Sequence, residues 1–153
     1  MADNKSHILI TVNSIIISVV VSLLLRKLDT NNYLTIPAII LLLVSLITIV
    51  LSILATRPNI PGGTFTQEEV DNKKTNLLFF GNFYKMSLES YDEGMQKLMN
   101  DGEFLYGSLI KDIYNQGVVL GKKYKLLRSA YNIFMFGLIV SVIAFIIASI
   151  ITS

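Results

Sequence analysis

Long apolar runs alternate with polar stretches along the chain, and three of the runs are long enough to cross a bilayer. They cover residues 8–25, 33–55 and 131–151. A helix needs about 17–25 residues to span the hydrocarbon layer, and each run fits this range. The pattern therefore predicts three transmembrane helices. A signal peptide is the alternative for the first run, but no small-residue cleavage site follows it and the second run begins shortly after it.

The segment between the second and third runs, residues 57–130, is mostly polar and contains several helix signals. The sequence "RPNIPGG" at residues 57–63 ends the second membrane helix in a turn. Thr66 and Glu69 have the spacing of a capping box, which predicts a helix from about that point. We expect this helix to continue into "NLLFFGNF" at residues 76–83.

Two further helices are predicted downstream. Ser90 and Glu93 repeat the capping-box spacing and predict a short helix, and Asp101 is a candidate N-cap for the next one. From residue 103 onward, apolar residues recur in steps of three and four, without proline, into the third membrane run. This periodicity predicts one helix of about 48 residues, roughly 70 Å long.

The long helix should carry an apolar seam that needs a cover. The seam is formed by Tyr106, Ile110, Ile113, Gly117, Leu120, Tyr124, Leu127, Tyr131 and Phe134. We expect the apolar side chains of "NLLFFGNF" to pack on it, because four consecutive apolar residues between lysines are too few to enter the bilayer. The seam could also pack on the same helix of another copy.

These patterns predict an all-α membrane protein with three parts. Residues 1–56 form a transmembrane hairpin, residues 57–130 a helical cytoplasmic module, and residues 131–153 the third transmembrane helix. The last helix of the module is continuous with the third transmembrane helix.

Composition agrees with a membrane protein and excludes several classes of function. The chain has 153 residues, 52% of them hydrophobic, a net charge of +2, one histidine and no cysteine. Its mean hydropathy is +0.59. The small charge disfavours nucleic acid as a partner. Without cysteine, disulfides and thiolate chemistry are impossible, and no metal motif, carboxylate pair or phosphate loop is visible. We therefore expect no enzyme, no metal and no cofactor.

The distribution of basic residues predicts the orientation in the membrane. Most lysines and arginines lie between Arg57 and Arg128, whereas the link between the first two runs has only Arg26 and Lys27. Cytoplasmic loops are enriched in such residues, so the central module should be cytoplasmic, with the carboxyl end outside.

Each membrane run has small or weakly polar residues on one helix face. Candidate packing or pore-facing positions are Thr11, Ser14, Ser18, Ser22, Ser45, Thr48, Ser52, Gly137, Ser141 and Ala144. Small residues allow helices to pack closely in lipid. The same faces could instead line a water-filled path in an oligomer. Asn13 is the most costly polar residue in these runs and needs a partner or water.

Four stretches together resemble one known family. They are "ADNKSHILITVN" at residues 2–13, "RP" at 57–58, "NLLFFGNF" at 76–83 and "DIYNQGVVLGKKYKLLRSAYNIFMFGL" at 112–138. In order and spacing they resemble the PycTM-like membrane effectors of the Pycsar antiphage systems, over nearly the whole chain.

The resemblance implies a role in bacterial abortive infection. In such a system a neighbouring pyrimidine cyclase makes cyclic UMP or cyclic CMP on infection. The effector senses this nucleotide and impairs the inner membrane, so that the infected cell dies. The usual cyclic-nucleotide-binding fold is a β-roll, which this helical segment does not fit. A helical pocket, such as one between subunits of a homo-oligomer, would have to bind the ligand instead.

A cyclic nucleotide needs a cation for its phosphate, an aromatic face and amide or carboxylate groups for its base. Residues that offer such groups, most of them within the resembling motifs, are Asn76, Phe79, Asn82, Asp112, Tyr114, Lys123, Tyr124 and Arg128. Each also has a simpler explanation: a solvated charge, a packing aromatic, or a basic collar at anionic lipid. The alternative function is a membrane scaffold whose cytoplasmic helices dock a partner, with no ligand of its own.

Overall fold

Every regular element that the structure describes is helical. The computed structural model describes residues 2–27, 34–58, 62–72 and 75–152. The helices are α1 (Ala2–Lys27), α2 (Thr35–Thr56), α3 (Gln67–Asp71), α4 (Leu88–Met99) and α5 (Gly102–Thr152), with a 3-10 helix at Phe80–Asn82. Helices α1, α2 and α5 are each long and apolar enough to cross a membrane. The predicted all-α class is confirmed for these residues.

The chain divides into two compact units. The membrane unit comprises Met1–Arg57 and Gly121–Ser153, and the connecting unit comprises Pro58–Leu120. Helix α5 has 51 residues and contributes to both units, so the long helix predicted from residue 103 is present. The predicted domain bounds and the cytoplasmic placement of residues 57–130 stay predictions.

The membrane unit is held together by a small apolar cluster and a close helix contact. Leu9 of α1 packs with Leu127 and Ala130 of α5, and Leu51 and Phe134 lie partly buried against them. One predicted packing position, Gly137, faces the Val44 side chain of α2 so closely that an added Cβ would overlap it. Small residues at such contacts are what permit helices to approach each other in lipid.

The connecting unit has its own core, and the "NLLFFGNF" stretch contributes to its centre. Leu77 is fully buried with Phe65, Val70, Leu98 and Phe104. Partly buried side chains complete this core: Leu78, Phe83, Met86, Tyr91, Met95 and Leu105. The rings of Phe83 and Tyr91 lie 4.3 Å apart between centroids.

The prediction that "NLLFFGNF" covers the seam of α5 is wrong for the part of the seam in the connecting unit. Tyr106, Ile110 and Ile113 are strongly exposed. The α5 side chains that contribute to the core are Phe104, which is buried, and Leu105, which is partly buried, both in the first turn of the helix. Leu77 instead packs on α4 through Leu98, so the part of the seam from Tyr106 to Ile113 has no cover among the residues that the structure describes.

The N-terminal cap of α3 agrees with the prediction, but the length of the helix does not. The Thr66 N–H donates to Glu69 Oε2 at 2.8 Å, and the Glu69 N–H donates to Thr66 Oγ1 at 3.2 Å. Both hydrogen bonds of the capping box are therefore formed. The helix ends at Asp71 rather than continuing into residues 76–83. Lys73 and Lys74 lie outside the described residues.

The other two caps give one correction and one confirmation. Helix α4 begins after Ser87, whose Oγ accepts the Ser90 N–H at 3.3 Å, so Ser90 is not the N-cap. Ser87 has the same short hydroxyl side chain as Ser90 and also lies three residues before an available N–H, so it is equally suited to cap a helix. For α5, Asp101 Oδ1 accepts the Phe104 N–H at 3.0 Å, as predicted.

We predict that Gly63→Ala destabilises the connecting unit. Gly63 has φ 84°, and a Cβ there would overlap the Tyr84 ring. Its carbonyl also accepts the Lys85 N–H at 3.0 Å, which ties this turn to the segment after the 3-10 helix. Left-handed backbone and overpacking together should cost about 1–3 kcal/mol. Hydrogen exchange of the detergent-solubilised chain should then be about tenfold faster or more in peptides covering residues 62–86.

The matched control is Gly62→Ala, where an added Cβ meets nothing within 4 Å. It should leave the exchange rates unchanged. Equal rates in the two variants would show that the Gly63–Tyr84 contact does not constrain the unit.

Candidate functional site

The connecting unit contains a polar cavity of about 410 Å³. Its walls come from the turn after α2, from α3, from the 75–82 segment and from α5. The lining residues are Gly62, Thr64, Glu69, Thr75, Asn76, Asn82, Lys111, Tyr114 and Asn115. Its volume lies within the range of about 300–1,000 Å³ that small-molecule sites occupy.

Asn76 fixes the wall that the 75–82 segment forms. Its Nδ2 donates to Asp112 Oδ1 of α5 at 3.0 Å, and its Oδ1 accepts the Leu78 N–H at 3.0 Å. Its backbone carbonyl accepts a hydrogen bond from Asn82 Nδ2 at 2.8 Å. The side chain therefore holds the segment against α5, and Asn82 is held in turn by Asn76.

Asp112 has both carboxylate oxygens engaged. Besides the bond from Asn76 to Oδ1, Gln116 Nε2 donates to Oδ2 at 2.6 Å. Asp112 itself does not line the cavity. Asn76 and Asp112, both predicted ligand contacts, are brought together, and the pair positions the cavity wall.

The Glu69 carboxylate in the cavity wall also stabilises the fold. Glu69 accepts hydrogen bonds from the Thr66 N–H and, at 3.2 Å, from the Thr66 hydroxyl, as part of the α3 cap. This pairing holds the carboxylate against the first turn of α3.

One turn of α5 supplies three of the lining groups that a ligand in the cavity would meet. Lys111, Tyr114 and Asn115 follow the i, i+3, i+4 spacing of one helix face. Tyr114 is 70% exposed, so its ring offers a free face. Together they present a cation, an aromatic surface and an amide at one wall. Lys111 and Asn115 were absent from the predicted contacts, although their spacing from Tyr114 could have indicated them.

The other predicted ligand contacts do not line this cavity. Phe79 packs against Phe80, with ring centroids 5.0 Å apart. Lys123, Tyr124 and Arg128 belong to the membrane unit. There Lys123 Nζ pairs with Asp3 Oδ1 at 3.1 Å. For all eight residues, contact with a ligand stays a prediction.

The predicted small-residue faces of the membrane helices have two different environments. On α1, the side chains at the predicted positions are exposed: Thr11, Ser14, Ser18 and Ser22. On α2 and α5, they are buried or half-buried: Ser45, Thr48, Ser52, Gly137, Ser141 and Ala144. The face of α1 that turns inward carries Ser6 and Asn13 instead. The exposed α1 positions can therefore pack only against lipid or another chain.

Among the residues that the structure describes, no group of three or more histidines or carboxylates is arranged to hold a metal ion. The polar groups that line the cavity are one lysine, one glutamate already engaged in a cap, and neutral amides, hydroxyls and a phenol.

Fold and site define the class: a small membrane protein in which three helices of spanning length accompany a helical unit with a polar cavity. The chain belongs to the PycTM family, because the family model of the Pycsar effector protein domain matches residues 1–149. The resemblance seen in the sequence motifs is thereby confirmed, and the chain is a membrane effector of the Pycsar antiphage type. No curated protein and no solved structure matches it.

We predict that Asn76→Asp loosens the cavity wall. The substitution replaces the Nδ2 donor with a carboxylate oxygen that faces Asp112 Oδ1 across 3.0 Å. Loss of the hydrogen bond and repulsion between two carboxylates should cost about 1–3 kcal/mol. Hydrogen exchange in peptides covering residues 75–83 should accelerate accordingly.

The double variant Asn76→Asp, Asp112→Asn is the control for this prediction. It again places a donor opposite an acceptor, with the amide donor now on residue 112. Hydrogen-exchange rates should therefore return most of the way to those of the unchanged chain. If the free-energy changes of the two single substitutions simply add in the double variant, the hydrogen bond between residues 76 and 112 does not hold the wall.

Proposed function

We propose that the chain is the membrane effector of a bacterial abortive-infection system and is activated by a cyclic pyrimidine nucleotide. Cyclic UMP or cyclic CMP, made by a partner pyrimidine cyclase, binds the connecting unit on the cytoplasmic side. The membrane unit then impairs the inner membrane and the infected cell dies. Family membership supports this role. The observation that supports ligand binding by this chain itself is the polar cavity with Lys111, Tyr114 and Asn115 in its wall.

The cavity chemistry suits a cyclic nucleotide. The phosphodiester carries a single negative charge, which the Lys111 ammonium would neutralise. The exposed Tyr114 ring offers a face on which a base stacks, as aromatic side chains do for unpaired bases. An amide side chain has both a donor and an acceptor, which matches the mixed pattern on the edge of uracil or cytosine. Asn115 supplies such an amide. Asn82 has its Nδ2 engaged with Asn76, which leaves its Oδ1 to accept from the base.

Binding should be measured by isothermal titration of the detergent-solubilised full-length protein. We expect cyclic UMP or cyclic CMP to bind, and cyclic AMP and cyclic GMP to bind more weakly. Lys111→Gln should raise the Kd about 10–100-fold, because a hydrogen bond to a charged group is worth about 1.5–3 kcal/mol. The matched control is Lys85→Gln: Lys85 is an exposed lysine of the same unit that lies over the Tyr84 ring and outside the cavity. It should leave the Kd unchanged.

Dye release from liposomes that carry the protein tests the second half of the proposal. Leakage should appear with the bound pyrimidine nucleotide and should require about 10–100-fold more of it in Lys111→Gln. Folded, inserted protein that neither binds any of these nucleotides nor leaks would contradict the proposal. An unchanged Kd in Lys111→Gln would show that the nucleotide does not bind in this cavity, and a different site would then have to mediate activation.

We also propose that the effector is a homo-oligomer. Tyr106, Ile110 and Ile113 form an apolar face of α5 that no other described residue covers, and Ile113 is 70% exposed. Contiguous apolar surface of this kind marks an interaction site. A second copy presents the same surface and can pack helix against helix about a two-fold axis.

We predict that Ile110→Glu with Ile113→Glu lowers the oligomeric state. Four buried carboxylates across a two-fold contact would be costly to desolvate. Multi-angle light scattering in detergent measures the protein mass. The control is Leu88→Glu, because Leu88 is an 81% exposed apolar residue of α4 outside this face. A mass unaffected by the pair would mean that the oligomer, if present, forms elsewhere.

The scaffold alternative uses the same apolar face. Its exposure would suit a partner protein that docks on α5 without any nucleotide. The two functions differ in the titration: a scaffold binds none of the four nucleotides, and its liposomes stay intact in all of them.

A further inference from the structure

The interior of the membrane unit is polar. Its fully buried side chains include serines, a threonine and an asparagine from all three helices: Ser6, Asn13, Ser45, Thr48, Ser52 and Ser141. The large apolar residues on the same helices, such as Ile8 and Ile15 on α1, face outward. Large apolar residues therefore meet lipid, and oxygen-bearing side chains share the space between the helices with a few apolar ones, among them Leu9, Leu127 and Ala130.

Some of these buried groups are satisfied by their own helix. Thr48 Oγ1 donates to the Val44 carbonyl, and Ser141 Oγ donates to the Gly137 carbonyl, both at 2.8 Å. Asn13 Nδ2 donates to the Leu9 carbonyl at 2.8 Å. These bonds use the hydroxyl or amide as a donor to the carbonyl four residues earlier, a common arrangement in membrane helices.

Among the side chains that the structure describes, four buried oxygens have no such partner. They are Ser6 Oγ, Asn13 Oδ1, Ser45 Oγ and Ser52 Oγ. The Asn13 side chain is 0% exposed, so its carbonyl oxygen is fully buried without a donor. Buried polar groups in native proteins are paired, with ordered water where no protein group serves. These oxygens therefore point to water inside the membrane unit.

The unpaired oxygens are spread along the helices. Ser6 and Asn13 are seven residues apart on α1, as are Ser45 and Ser52 on α2. Seven residues are two turns, so each pair shares a helix face at a separation of about 10 Å. A single water could not serve both members of a pair. Polar sites thus recur at several depths of the same interior.

An apolar collar interrupts this polar interior. Leu9 lies between Ser6 and Asn13 on the inward face of α1 and packs with Leu127 and Ala130. Leu51, next to Ser52 on α2, borders the same cluster. A narrow apolar constriction between polar stretches excludes water and so blocks ions. The cluster therefore has the properties of a closed gate.

We propose that the interior of the membrane unit is a latent path for water and small ions, lined by Ser6, Asn13, Ser45, Ser52 and Ser141 and closed by the Leu9–Leu127–Ala130 collar. This inference rests on the proposed membrane lesion and assigns its route. It places the path among the three helices of one chain. The exposed Thr11–Ser14–Ser18–Ser22 face of α1 then contacts lipid or a neighbouring copy.

Opening the collar by substitution tests the path without any nucleotide. Leu9→Ser should increase ion leakage from liposomes about tenfold or more in the absence of ligand, because a hydroxyl lets water enter the constriction. The control Ile8→Ser makes the same change at an outward-facing neighbour and should not leak. Adding Asn13→Leu to Leu9→Ser replaces the unpaired amide by an apolar side chain of similar size and should suppress the leak. Circular dichroism and the amount of inserted protein verify that each variant is folded.

Cysteine accessibility locates the path independently. The natural chain has no cysteine, so each substitution introduces a single thiol. In the Leu9→Ser background, Ser45→Cys and Ser52→Cys should react with a charged methanethiosulfonate reagent, while Ser14→Cys and Ser18→Cys should not. Modification of the α1 positions with protection of the α2 positions would overturn the inference and place the path between copies.

The two proposals fail in different ways. A Leu9→Ser leak without any nucleotide response would refute nucleotide activation and support the path. Nucleotide-induced leakage of the unchanged protein, with Leu9→Ser tight and Ser52→Cys protected, would refute the path and leave the proposed function standing.

Discussion

The membrane unit depends on one constraint: hydrocarbon offers no hydrogen bonds, so each polar group must be satisfied within the protein. Helix formation satisfies the backbone. A serine hydroxyl can then donate to the carbonyl four residues earlier, as Ser18 does to Ser14 at 2.9 Å, and can therefore face outward. An asparagine carbonyl needs a donor instead, and the backbone N–H groups around it are already used. Asn13 must therefore lie inside, and it brings an unpaired acceptor with it.

The connecting unit meets a different constraint, because a core of this size can stabilise only a small fold. Local hydrogen bonds supplement it: the Thr66–Glu69 capping box, the Ser87 and Asp101 caps, and the Asn76–Asp112 bond between distant parts of the chain. These bonds use most of the acidic and amide groups around the cavity for the fold. The cation and the free aromatic face both come from a single turn of α5. A ligand in this cavity would therefore find its cation and its aromatic surface on the helix whose later part belongs to the membrane unit.

Sequence patterns predicted what depends on local chemistry and missed what depends on packing partners. The apolar runs predicted the three long helices because a bilayer fixes their length, and Thr66 and Asp101 were recognised because a cap acts within one turn. The periodicity of α5 grouped Tyr106, Ile110 and Ile113 on one face but could not show that Leu98 and Phe104, rather than this face, would receive Leu77. The serine spacing on α1 grouped Ser14 with Ser18, yet only the packing of Leu9 on Leu127 shows that Asn13 turns inward. The cavity depends on contacts between residues far apart in sequence, so only some of its lining was predicted.

The unpaired oxygens also affect how much free energy a ligand would need to supply to open the proposed path. A ligand shifts an equilibrium between two states only by its difference in affinity for them. In the proposed closed state, each buried acceptor that internal water does not reach would raise the free energy by about 1–3 kcal/mol, and full hydration in the proposed open state would recover that cost. Burial of Leu9, Leu127 and Ala130 acts in the opposite direction, at about 25 cal/mol per Å² of apolar surface kept from water. When these contributions nearly cancel, the closed state is favoured by only a few kcal/mol. A shift from 1:99 to 99:1 requires about 5.5 kcal/mol of differential binding, so a nucleotide that opens such a unit would have to bind the open state about 10⁴-fold more tightly than the closed state.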